Sequence, residues 1–310
     1  MSTIAMRCKA DYRLIRLESV ASTNDEVLVR AQQLGEGALR AEGGRFVPLV
    51  VMSGRQTAGR GRLGRTWVSP PGGLYLSALV ELAAQDERDR SHDRSPGAPA
   101  SLSLVAALAV RDALQGFAPD GLRVKWPNDI MAAGGKLVGV SIEIKQAVVV
   151  FSARALSGAE DATGLVQAVE SARPTGLARP TRAPTSSYAI IGVGVNANRP
   201  DEGAFEGAAY LSDAATGPLP LEELADRIIS TLLCRYEDWA AARGSFAPFV
   251  EEYRAHMTLL GEPVCVRDAM GAQIACGVVA GVDERGQLLL TDECGLVAVA
   301  AGEVTLRGAP

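Results

Sequence analysis

The sequence predicts an α+β chain: a mixed sheet flanked by helices, followed by a small antiparallel β-barrel. Three observations carry this. Up to about Leu260, short apolar runs of strand length alternate with stretches of helical period such as "SLSLVAALAVRDALQGF" and "LEELADRIISTLLCRYEDWAAAR". Beyond it the texture changes to short strands at turn spacing, with Gly271, Gly281, Gly286 and Gly295 between them. With 310 residues, 47% of them hydrophobic and 22% charged, the chain can bury a sizeable core and divide into two domains, expected at 1–259 and 260–310.

Taken in order, "YRLIRLES" alternates as a strand, and "STNDEVLVRAQQLG" reads as a helix with its N-cap among Ser22, Thr23 and Asn24 and Gly35 just past its end. "FVPLVVMSG" is a buried strand, and "GGLYLSALVEL" an alternating one. Residues 84–100 read as a solvated charged loop, and the next helix starts near Ser101 and stops by Gly116. "LRVKWPNDI" is a strand running into a Pro127–Asn128–Asp129 turn. "KLVGVSIEI", "AVVVFSA" and "YAIIGVGVNAN" are strands, the last two separated by a Pro- and Ala-rich excursion at about 154–187. A long helix and a shorter one around "FAPFVEEYRAHM" precede the barrel.

Composition narrows the function. A net charge of -5 argues against a general nucleic-acid binder, which needs a basic face. There is neither a secretory leader pattern nor an apolar stretch of roughly 20 residues, so a cytoplasmic protein is expected, without membrane or DNA partners. The five cysteines lack a C-x-x-C pair, so reduced thiols are expected. With His92 and His256 the only histidines, neither a zinc site nor Ser-His chemistry finds support.

Four patches carry chemistry. In "TAGRGRLGRTW", Gly59, Gly61 and Gly64 fit G-x-G-x-x-G, but prolines and glycines follow where a dinucleotide fold needs a helix. The P-loop pattern fails too, because Arg60 and Gly61 stand where Lys and Ser/Thr belong. What remains is a loop whose glycines admit close backbone approach and whose arginines Arg60, Arg62 and Arg65 suit carboxylate or phosphate oxygens, or else a solvated basic turn. "VKWPNDIMAAGGKLVGV" adds Lys125, Asn128, Asp129 and Lys136, which could serve phosphates and a hydrated Mg2+ or simply flank strands. In "IIGVGVNAN", Gly192 and Gly194 leave room for something to approach the strand, a ligand or another strand, and Asn196 closes it. "STND" is either a helix cap or a set of hydroxyls for a small polar ligand.

In this order and spacing, "STND", "SGRQTAGRGRLGRTWVSPPGGLYLS", "VKWPNDI", "GGKLVGVSIE", "GVGVNAN" and the terminal "GEVTLR" resemble the biotin protein ligases. The resemblance implies a catalytic domain of the class II synthetase-like, biotin/lipoate ligase type with a C-terminal SH3-like barrel. It implies ATP and biotin as substrates with Mg2+ and no tightly bound cofactor. Biotin would be joined through biotinoyl-5'-AMP to a lysine of a biotin carboxyl carrier protein, as in acetyl-CoA carboxylase. Lipoate or octanoate ligases and transferases of the same superfamily are the nearest alternative, and a non-catalytic anion-sensing module is a further one. Family members that double as repressors carry an N-terminal winged helix-turn-helix; with the first strand expected near Tyr12, a monofunctional form is expected, as monomer or homodimer.

The resemblance also assigns residues. Lys136, Arg62 and Arg60 are catalytic by that match. Ser22, Thr23, Asn24, Gln56, Gly59, Arg60, Arg62, Lys136, Gly139 and Gly192 fall on biotin; Arg62, Arg65, Trp67, Lys125, Asn128, Asp129, Asn196 and Arg307 fall on the nucleotide, Trp67 as the surface for adenine and Asp129 also on Mg2+.

Overall fold

The computed structural model describes residues 11–62, 65–82, 98–118, 121–133, 135–146, 150–151, 186–201, 204–215 and 219–306. Seven strands form the first sheet: β1 (Arg13–Leu17), β2 (Leu49–Ser53), β3 (Leu74–Leu82), β4 (Arg123–Lys125), β5 (Asp129–Ala132), β6 (Gly135–Gln146) and β7 (Ser187–Val195). Their order is β1-β2-β3-β7-β6-β5-β4, with β1 parallel to β2 and every other pair antiparallel, so the sheet is mixed.

Helices cover both faces, and the two-residue period of the strands explains how. On β2, Leu49 and Val51 join Val27 and Ala31 of α1 (Thr23–Leu34), while Val50 and Met52 join the larger core on the opposite face. That core includes Leu104, Leu108 and Ala109 of α2 (Ala98–Ala113) and Ile228 and Leu232 of α3 (Leu221–Ala241). The sheet is thus buried on both sides, which accounts for continuous apolar runs such as "LVVMS". Each fully buried Leu or Val contributes about 1.5–3 kcal/mol.

A short helix, α4 (Val250–His256), leads to a five-stranded antiparallel sheet of β8 (Pro263–Arg267), β9 (Gln273–Val282), β10 (Leu288–Asp292), β11 (Gly295–Val299) and β12 (Glu303–Leu306), in the order β11-β10-β9-β8-β12. The two sheets share a core, since Val264, Val279 and Leu290 belong to the same apolar cluster as α2. The indole N–H of Trp126, in the turn after β4, donates to the Gly286 carbonyl at 3.0 Å.

Three expectations are corrected. Val150 and Phe151 of "AVVVFSA" are helical rather than strand; Phe151 packs edge-on to Tyr188, so an apolar run here serves a helical turn. The helix expected near Ser101 begins at Ala98. Cys265 and Cys276 form a disulfide instead of two thiols: the β8–β9 register sets them directly opposite, with Cα atoms 4.1 Å apart. The excursion at 154–187 lies outside the described residues except for its last two, and Ser187 opens β7. Among the described residues, no helix is long and apolar enough to cross a membrane.

Candidate active site

The floor of the site follows from strand register. Cross-strand partners on β3, β7 and β6 form rows on the face that carries α1: Glu81–Tyr188–Lys145, Leu79–Ile190–Glu143, Ser77–Gly192–Ser141 and Tyr75–Gly194–Gly139. Along β7 the row members shrink from Tyr188 and Ile190, which are core, to Gly192 and Gly194. Where the side chains vanish the core gives way to a cavity of about 430 Å³.

Each glycine seats a side chain from elsewhere. A Cβ on Gly192 would lie 2.5 Å from both Asn24 Oδ1 and Ser141 Oγ. One on Gly194 would lie 2.5 Å from Trp67 Nε1, and one on Gly139 would lie 2.9 Å from the same indole. The close approach anticipated at this strand is therefore made by Asn24 and Trp67 and, at Gly192, also by Ser141 of the neighbouring β6.

One end of the cavity is neutral and polar. Ser22 stands at the N-cap position of α1 in extended conformation but makes no side-chain cap bond, so capping does not explain "STND". Ser22, Thr23 and Asn24 are instead buried beside the cavity. Gln56 Oε1 accepts from the Thr23 backbone N–H at 2.8 Å and from its hydroxyl at 3.1 Å, while Gln56 Nε2 donates to Ser69 Oγ at 2.8 Å. Asn24 Nδ2 donates to Glu143 at 2.8 Å, and Ser77 Oγ donates to Asn24 Oδ1 at 2.6 Å.

The other end is cationic. No α-helix occurs among the described residues between β2 and β3, which disposes of the dinucleotide reading. The loop there spreads its arginines over three anchors: Arg60 on Asp25 at 2.5 and 2.6 Å, Arg62 on Asn128 Oδ1 at 2.8 Å, and Arg65 on Glu303 at 2.5 Å. Asn128 is held in turn, donating through Nδ2 to the Val140 carbonyl at 2.6 Å. Lys136 Nζ lies 2.7 Å from Asp129 Oδ1 and 5.0 Å from the Trp67 ring centroid. A register shift in the β5–β6 pairing, between Ile130 and Met131, inserts one residue into β6. Lys136 and Gly139, three apart in sequence, therefore reach the same cavity. Lys125 completes the cationic wall.

Burial pulls the Arg62 guanidinium below the ordinary arginine value, opposed by the charges of Asp129 and Glu303. Hydrogen bonding to Asp25 raises that of Arg60. Burial alone would raise the Glu143 carboxyl, but bonds from Asn24 and Lys145 and the charges of Lys145 and Arg60 outweigh it and hold the group below its usual value.

Two expected residues miss the cavity wall. Gly59 packs behind the loop, where a Cβ would meet the Trp67 carbonyl at 2.4 Å and Ser69 Oγ at 2.5 Å. Asn196 is buried and donates to the Lys136 carbonyl at 3.0 Å, so it braces the lysine's strand rather than facing the cavity. Arg307 lies outside the described residues. For Mg2+, no group of three or more metal-ligating His, Cys, Asp or Glu side chains occurs among the described residues. Asp129 offers a single carboxylate, already paired with Lys136, which fits an ion carried mainly by nucleotide phosphates. The sequence reading overlooked Ser77, Ser141, Glu143, Glu303 and Val304; of these, Ser141 and Glu143 share the parity of Gly139 on β6, a signal present in "KLVGVSIEI".

A glycine-floored cavity that is polar and neutral at one end and cationic at the other, under an Arg-rich loop, is the architecture of an acyl-activating ligase. The family model for the biotin/lipoate A/B protein ligase family matches residues 46–154. A biotin–[acetyl-CoA-carboxylase] ligase of Paracoccus denitrificans is 31% identical over 291 residues, spanning 91% of this chain and 100% of that protein. Its counterpart in Mycobacterium tuberculosis is 29% identical over 91% of this chain and 85% of its own length. The structure of the Aquifex aeolicus biotin protein ligase in complex with biotin and ATP shares the fold with a TM-score of 0.63 at 24% identity, over 95% of this chain and 98% of that one. The chain belongs to the biotin protein ligases of this family.

Proposed function

We propose that the protein activates biotin with MgATP to biotinoyl-5'-AMP and transfers the biotinoyl group to a lysine of a biotin carboxyl carrier protein, acetyl-CoA carboxylase being the protein named for its relatives. The observation that carries this reading is one cavity joining a neutral hydrogen-bonding end to a cationic end. A cyclic urea is neutral and needs both donors and acceptors, which Ser22, Thr23, Asn24 and Gln56 offer. A carboxylate approaching a triphosphate needs positive charge, which Arg60, Arg62, Lys125 and Lys136 supply.

In the first step a biotin carboxylate oxygen attacks the α-phosphorus, and the bond to the β-phosphate oxygen breaks to release pyrophosphate. Lys136 balances the charge gathering on the α-phosphate and carboxylate oxygens, with Arg60 and Arg62 over the acyl-phosphate. Gly139 and Gly192 line the floor, seating Trp67 and Asn24 beside the ligand. Trp67, seated against Gly194, is the surface for adenine; Arg65, Asn128 and Asp129 attend the nucleotide, Asp129 being the carboxylate that would share in holding Mg2+, with Asn196 supporting from behind and Arg307 joining from the chain end. In the second step the neutral amine of the carrier lysine attacks the acyl carbon, the anhydride C–O bond breaks, AMP leaves with the electron pair and the amine sheds its proton. The loop excludes water between the steps.

In this reading residues 1–259 are the catalytic domain and 260–310 the SH3-like barrel, and the protein acts in the cytoplasm. The test is exchange of labelled pyrophosphate into ATP with biotin, lipoate and octanoate in parallel. Exchange with biotin is expected. Its absence sinks the reading, and exchange with lipoate or octanoate instead selects the sister activities of the superfamily.

A further inference from the structure

Glu143 is an unusual residue for its place. It stands in the Leu79–Ile190–Glu143 row of the sheet face that carries α1, and three donors converge on it. Its Oε1 accepts from Asn24 Nδ2 at 2.8 Å and faces Arg60 Nη2 at 3.5 Å; its Oε2 lies 3.0 Å from Lys145 Nζ.

An ionised carboxylate has no proton to give, so the Asn24 amide is turned one way only: nitrogen toward Glu143, oxygen toward Ser77. Asn24 Oδ1 cannot donate either, so the single Ser77 hydroxyl proton goes to it, across 2.6 Å. The Ser77 oxygen then meets Thr23 Oγ1, 2.8 Å away, with lone pairs only. From the opposite side Gln56 gives its amide N–H to Ser69 Oγ, which donates to the Trp67 carbonyl at 3.0 Å, so Gln56 also turns a bare oxygen to Thr23. Bare acceptors thus flank the Thr23 hydroxyl on both sides and take up its proton. What Thr23 presents to the cavity is a lone pair, which suits a ligand N–H and offers nothing to an aliphatic or dithiolane ring. The same carboxylate, with Asp25, faces the guanidinium of Arg60 in the loop between β2 and β3.

We infer that Glu143 is a positioning residue joining the two ends of the cavity: through Asn24 it sets the hydrogen-bond direction offered to the head group, and through Arg60 it helps hold the loop over the acyl-phosphate. The inference rests on the ligase reading above.

Three variants test it. Glu143→Leu removes both effects, Glu143→Gln keeps an acceptor for Asn24 but drops the charge facing Arg60, and Asn24→Ala removes only the head-group arm. In biotin-dependent pyrophosphate exchange, Glu143→Leu and Asn24→Ala are expected to raise KM for biotin about tenfold with kcat and KM for ATP moving less than threefold, as befits loss of a hydrogen bond to a charged group. Glu143→Gln is expected to raise KM for biotin less than Glu143→Leu does. Release of biotinoyl-AMP, measured by filter retention, should rise about threefold in both Glu143 variants and not in Asn24→Ala. A merely structural role would lower kcat or shift both substrates together, and that outcome overturns the inference. So does a KM for biotin within twofold of wild type in Asn24→Ala, or wild-type retention in Glu143→Gln; these two decide even if Glu143→Leu does not fold. Wild-type protein with no biotin-dependent exchange instead defeats the ligase reading, and the inference falls with it.

Discussion

Adding one methyl group at Gly192 tests the geometry of the site most directly. The new Cβ would lie 2.5 Å from Asn24 Oδ1, 2.5 Å from Ser141 Oγ and 3.3 Å from Asn24 Cγ. Ser141 can rotate its hydroxyl away. Asn24 cannot, because its backbone is in the first turn of α1 and its amide is held by Glu143 and Ser77. To clear the methyl its side chain must retreat by nearly an ångström, which breaks the Ser77 bond and stretches the one to Glu143. Losing a neutral hydrogen bond costs about 1 kcal/mol and weakening a charged one somewhat more. Overpacking adds about 1–3 kcal/mol, and the lower chain entropy of alanine returns about 0.5–1. Gly192→Ala should therefore destabilise by about 2–4 kcal/mol in urea denaturation and raise KM for biotin at least about tenfold. Asn24→Ala on the same background should recover more than about 1 kcal/mol of that stability, because it removes the obstructing atoms. Stability within about 0.5 kcal/mol of wild type, or a double variant no more stable than Gly192→Ala alone, would refute the view that this glycine exists to seat Asn24.

Other outcomes are open to measurement. Lys136→Ala should slow biotin-dependent pyrophosphate exchange at least about tenfold, since a donor aimed at developing charge is worth about 2.7–4 kcal/mol; a wild-type rate removes Lys136 from the first step. Arg65 is 65% exposed although Glu303 is only 32% exposed, so a double-mutant cycle to alanine should return a coupling below about 1 kcal/mol that weakens in 1 M salt, and a salt-independent value would contradict the exposure of Arg65. Because the folded Glu143 carboxyl is held below its ordinary value of 4.5, the unfolded chain binds its proton first as pH falls. The stability difference between wild type and Glu143→Gln should be constant above that value and shrink as pH drops through the depressed one; a difference that grows in acid would reverse the assignment.

What could be read from the chain depended on whether the signal was local. The missing helix after "TAGRGRLGRTW" was visible in Pro70, Pro71, Gly72 and Gly73, and the cavity floor in the alternation of Gly192 and Gly194, because both are statements about neighbours in sequence. Register is not local. Glu143 looks like an ordinary polar residue of an alternating strand until β7 and α1 bring Ile190 and Asn24 against it. Cys265 and Cys276 are eleven residues apart and meet only because β8 and β9 pair in one frame. Asn196 falls on the nucleotide by the family resemblance, whereas in the structure its amide turns back onto the Lys136 carbonyl. The direction a side chain takes at the end of a strand is set by what lies across from it, and that partner is remote in the chain.

Glu303 and Val304 come from the last strand of the C-terminal sheet, yet they line the same cavity as Gly139 and Gly192 of the first. A molecule filling that cavity touches both halves at once and so acts as a rivet between them. By mass action, whatever binding energy it gains from β12 is also cohesion between the sheets, of about RT ln(1 + [L]/Kd) in total. The C-terminal sheet is then a wall whose hold on the rest of the protein is strongest when the site is loaded, and ligand affinity and the cooperativity of unfolding should rise and fall together.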